Sequence, residues 1–70
     1  MSTLRKRSIL LAGHATSVAL EPEFWAVLED WARTEGISLA ALLQRLDAGR
    51  GRRPLASACR VAALERAKSG

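Results

Sequence analysis

From His14 to Leu20 the chain alternates, with His14, Thr16, Val18 and Leu20 on one side and Ala15, Ser17 and Ala19 on the other. A period of two marks a half-buried strand, and the β-branched Thr16 and Val18 suit its pleat. At Glu21 the period changes. Pro22 fits the first position of a helix, where its missing N–H costs nothing, and Glu23 favours the positive end of the helix dipole. Phe24, Trp25, Leu28, Trp31 and Ala32 then recur at helical spacing as a wide apolar stripe, and Leu20 and Trp25 are placed as a hydrophobic staple across the helix start. The pattern predicts a helix ending near Glu35, with Gly36 as the left-handed residue beyond it.

Ser38 is a good N-cap for a second helix, with Ile37 and Leu42 as its staple. Leu39, Leu42, Leu43 and Leu46 follow the i, i+3, i+4, i+7 pattern without a break, and Gly49 closes the helix. Residues 14–49 therefore read as a strand-helix-helix core. Residues 50–54, with Arg50, Arg52 and Arg53, read as a basic linker, and 55–70 as a third, alanine-rich helix with Val61 and Leu64 as its larger apolar groups. Residues 1–13 read as a basic N-terminal arm, in which Ile9-Leu10-Leu11 is either a short extended segment or a stretch that docks on a partner.

Length changes this picture. A 70-residue chain buries only roughly 60% of the surface it exposes when unfolded, so a monomer would be marginal without a staple. The single Cys59 excludes an internal disulfide, and with the single His14 it cannot build a four-ligand zinc site. No metal and no cofactor is expected. A lone strand would also leave a row of unpaired backbone groups. The simplest completion is the same strand from a second copy, paired antiparallel about a two-fold axis.

Net charge of +4 and a pI near 10.7 favour a polyanionic partner. Arg5-Lys6-Arg7 before Ile9-Leu10-Leu11-Ala12 imitates the start of a secretory signal, but the apolar run stops at Gly13, short of the roughly 7–15 residues such a segment needs. No run reaches the roughly 18–20 apolar residues of a membrane span, so the expected location is the cytoplasm, without membrane insertion. Catalysis has no support: no Ser-His-acid spacing and no glycine-rich phosphate loop is present.

The run Thr16-Ser17-Val18-Ala19-Leu20 into Glu21-Pro22-Glu23-Phe24-Trp25, then Leu28, then Glu35-Gly36-Ile37-Ser38-Leu39 and a leucine-rich helix resembles the ribbon-helix-helix family of bacterial DNA-binding proteins. Gly13-His14 and the later Ser57-Ala58-Cys59-Arg60-Val61 bring it nearer to a subgroup of short alphaproteobacterial proteins. The resemblance implies a mainly α chain with one strand, an intertwined homodimer with a two-stranded antiparallel ribbon, and here a C-terminal third helix. It also implies that the ribbon enters the DNA major groove, with Ala15, Ser17 and Ala19 toward the bases. Phosphates would be met by Arg5, Lys6 and Arg7 and by the start of the second helix at Ile37, Ser38 and Leu39. Val18, Leu20, Phe24, Trp25, Leu28, Trp31, Leu42, Leu43 and Leu46 would form the core and dimer interface.

Two of the three outward positions are alanine, which rules out bidentate base readout from this set. Two functions follow. One is a dimeric DNA-binding transcriptional regulator with modest sequence preference. The other is a protein-interaction scaffold, or a subunit of a larger assembly, that uses the fold without DNA.

Overall fold

The computed structural model describes residues 3–69; Met1 and Ser2 of the expected arm and Gly70 of the expected last helix lie outside the described residues. Two strands, β1 (Arg5–Leu11) and β2 (His14–Leu20), precede three helices, α1 (Pro22–Glu35), α2 (Leu39–Ala48) and α3 (Leu55–Ser69). The strands form one antiparallel two-stranded sheet, running from Arg5 opposite Leu20 to Leu11 opposite His14.

The two-stranded ribbon, the helix pair and the third helix are as the sequence implied, but the chain has two strands, not one. The partner that β2 was expected to take from a second copy is supplied by residues read as the basic arm. The connection is a two-residue turn in which Ala12 and Gly13 both have positive φ, 50° and 82°. This is the I′ geometry, whose twist matches that of the flanking strands. Its usual marker is Asn-Gly or Asp-Gly, and Ala-Gly lacks it.

β1 also hides its period. Ile9 and Leu11 point into the core while Leu10, between them, points out. Arg7 stands on the helix side of the sheet, half-buried, with its guanidinium 4.9 Å from the Trp25 ring. A long cationic side chain can cover apolar surface in this way while its head stays wet.

Ile9, Leu11, Val18, Leu20, Trp25, Leu28, Ala32, Leu42, Leu43, Cys59 and Ala63 form a single buried cluster, with Phe24, Trp31 and Leu46 partly buried against it. The residues expected to be shared with a second copy are thus packed within one chain. α3 contributes the part that periodicity did not show. Its buried face is Ala58, Cys59 and Ala63, small side chains that let it lie close to its neighbours. Burial pushes the Cys59 thiol up to about 11, so it stays protonated and acts as a small apolar group.

Local signals mark the helix ends. Gly36 has φ 68°, and Ile37 N–H donates to the Ala32 carbonyl and Gly36 N–H to that of Arg33, the paired bonds of a Schellman ending. Ser38 Oγ accepts from Ala41 N–H at 3.0 Å. Gly49 ends α2 without the left-handed conformation, with φ −98°; the chain turns left-handed two residues later, at Gly51.

Each helix also donates one side-chain bond to a hairpin carbonyl: Trp25 Nε1 to Arg5 at 2.9 Å, Gln44 Nε2 to Leu10 at 3.4 Å, and Arg60 Nη2 weakly to Ala19 at 3.5 Å.

Ala12 is the one non-glycine residue among those described that holds a positive φ, at a cost of about 1–2 kcal/mol. Ala12→Gly and Ala12→Asn should therefore stabilise the fold. A gain of about 1 kcal/mol corresponds to a rise of roughly 4–8 °C in Tm for a domain of this size. Thermal melts followed by circular dichroism measure it, and an unchanged or lower Tm in both variants would contradict the turn.

Candidate nucleic-acid interface

The ladder register assigns the faces of the ribbon. Lys6 opposite Ala19, Ser8 opposite Ser17 and Leu10 opposite Ala15 point away from the helices. All are exposed except Ala19, which is half-buried. A two-residue turn begins the ladder on a hydrogen-bonded pair, so these alternate pairs are the non-hydrogen-bonded ones. Their side chains stand closest across the strands, and their backbone groups point to the ribbon edges. The bonds from Gln44 to the Leu10 carbonyl and from Arg60 to the Ala19 carbonyl meet such edge groups.

Ala15, Ser17 and Ala19 therefore share an outward face, as their alternation indicates. Half of that face, Lys6, Ser8 and Leu10, was not assigned to it from the sequence. The missing signal was the turn at Ala12-Gly13, which carries the register of β2 onto β1. With β1 included, the face runs from a cationic end at Lys6, through a pair of serines, to an apolar end where Leu10 is 60% exposed.

The residues grouped as phosphate contacts do not lie together. Lys6 is on the outward face, and Arg5 is exposed at the open end of the hairpin. Arg7 faces the helices and pairs with Glu29 at 2.6 Å. At the start of α2, the Ile37 amide is already bonded to Ala32, which leaves Ser38 and Leu39 at the mouth of that helix.

Ion pairs concentrate the remaining charge. Glu21, Glu29, Asp30, Glu35 and Asp47 pair with Arg60, Arg7, Arg33, Arg45 and Arg50. Among the described residues the net charge of +4 therefore rests on Arg5, Lys6, Arg52, Arg53, Arg66 and Lys68, set against Glu23 and Glu65. Arg5 and Lys6 are the two carried by the ribbon. Among the described residues no cluster of His, Cys, Asp and Glu could hold a metal, and no helix is long and apolar enough to cross a membrane.

Two of the paired carboxylates are perturbed. The hydrogen bond from Arg60 holds Glu21 below its ordinary value near 4.5, and those from Arg45 and Trp31 do the same for Glu35. A folded-state value below the unfolded one means that the stabilisation is present above the ordinary value and lost as pH falls through the folded one. Stability in urea should decline as the pH is lowered through and below the ordinary carboxylate value near 4.5. The double variant Glu21→Gln with Glu35→Gln should show a flatter profile there; an unchanged profile would mean that these pairs do not persist in solution.

A family model described as a ribbon-helix-helix domain matches residues 4–67. Neither the curated proteins nor the solved structures yielded a match. The matched span includes β1 as well as β2, so the hairpin lies inside the domain rather than appended to it. With an antiparallel ribbon leading directly into a helix pair, the chain belongs to the ribbon-helix-helix domain family.

Proposed function

We propose that the protein is a DNA-binding transcription regulator whose own hairpin lies in the major groove, outward face to the base edges. The observation that carries this reading is the outward face itself: exposed but for the half-buried Ala19, two strands wide and cationic at its open end. The major groove, about 12 Å wide, admits a two-stranded ribbon. Lys6 and Arg5 supply phosphate attraction at the open end, and the mouth of α2 at Ser38 and Leu39 offers amides and a positive dipole end to a further phosphate.

The family is typically homodimeric. In this chain a second copy added along a strand edge would make a four-stranded sheet with its outer strands about 14 Å apart, already wider than the groove. The proposed reading unit is therefore the hairpin of one chain. A second copy adds a second unit and associates away from the ribbon edges.

Protein contact through the same face is the alternative, favoured by the exposure of Leu10. A titration of duplex DNA against salt separates the two. DNA binding should weaken steeply as salt rises, by release of counterions. Lys6→Ala should weaken binding to all sequences alike and lower the slope of log K against log salt by about 1. Arg7→Ala should leave that slope unchanged, since Arg7 is committed to Glu29 and Trp25. Absence of duplex binding at low salt would overturn the DNA reading.

A further inference from the structure

We infer that the turn end of the ribbon recognises the C5-methyl group of pyrimidines on the major-groove floor. The inference rests on the proposed DNA reading and specifies what the hairpin would read.

Leu10 and Ala15 are directly opposed in a non-hydrogen-bonded pair at the turn end of the outward face. Their Cβ atoms therefore lie about 4.5–5.5 Å apart, forming one apolar patch with no polar side chain between them. Leu10 is one of the largest exposed apolar side chains among the described residues, and Gln44 Nε2 donates to its carbonyl at the ribbon edge at 3.4 Å. The neighbouring Ser8 and Ser17 carry one hydroxyl each, which any base can satisfy. The cation Lys6 stands at the opposite end of the face.

The floor of the major groove offers hydrogen-bond donors, acceptors and a single kind of apolar group, the pyrimidine C5-methyl of thymine. Pressing Leu10 against a donor or acceptor would desolvate that group without replacing its hydrogen bond. Pressing it against a methyl removes apolar surface from water on both sides. The patch therefore discriminates by penalising polar edges as well as by contacting methyls. 5-Methylcytosine presents the same group at the same ring position, and the patch would accept it equally.

The test uses the full chain and a short random-sequence duplex in three forms: natural, with every thymine replaced by uracil, and with every cytosine replaced by 5-methylcytosine. Affinity should fall about fourfold per contacted methyl on the uracil duplex and rise on the 5-methylcytosine duplex. The double variant Leu10→Ser with Ala15→Ser, at exposed positions outside the core, should bind all three forms about equally. Equal binding of the three duplexes by the unaltered protein would overturn the inference while leaving the DNA reading in place. Discrimination that survives in the double variant would overturn it too, because the preference would then come from duplex shape. Failure to bind any form at low salt would remove the DNA reading itself.

Discussion

The ladder between Arg5–Leu11 and His14–Leu20 satisfies backbone groups that a single strand would leave bare, and its register decides which side chains reach the helices. Because the pleat has a period of two, a one-residue slip of β1 would send Ile9 and Leu11 to solvent and bring Lys6, Ser8 and Leu10 inward, and a slip of β2 would do the same to Val18 and Leu20. The I′ turn prevents that slip by fixing Leu11 opposite His14. Core composition, charge placement and the exposed face all follow from this one geometric constraint.

With the register fixed, the helices attach to the hairpin at separate points. Trp25, Gln44 and Arg60, one from each helix, meet the carbonyls of Arg5, Leu10 and Ala19. The apolar cluster between them draws on all five elements. A chain of 70 residues is short of buried surface, and α3 adds to it from within the chain, with Cys59 and Ala63 joining the buried cluster. The ion pairs lie on the rim and are individually weak, but they leave the outward face of the ribbon uninvolved.

Much of this was legible from residue spacing. The alternation of β2, the starts of α1 at Pro22 and α2 at Ser38, the Gly36 ending and the large apolar positions of both helices each have a local physical cause that sequence displays. β1 was not legible, for equally physical reasons. Ile9-Leu10-Leu11 breaks the alternation because Leu10 is exposed, Arg7 lies over Trp25 instead of facing solvent, and Ala12 takes a conformation that the chain does not advertise. The buried face of α3 was hidden because alanine and cysteine give little contrast with its polar side. The outward facing of Ala15, Ser17 and Ala19 follows from the alternation of β2, and that of Lys6, Ser8 and Leu10 could not be assigned until the pairing of β1 was known.

The intrachain ribbon alters the symmetry of what the proposed reader can recognise. A ribbon made of the same strand from two copies is two-fold symmetric, so its outward face presents each residue twice and matches a palindromic site. Here the two strands differ. Lys6 and Leu10 on β1 face Ala19 and Ala15 on β2, so the face has a cationic end and an apolar end and no internal dyad. A single hairpin in the groove would read its bases with a direction, and any palindromic character in a natural site would then come from two separate hairpins. The spacing between half-sites would report how two chains associate, and the sequence within a half-site would report the face running from Lys6 to Leu10.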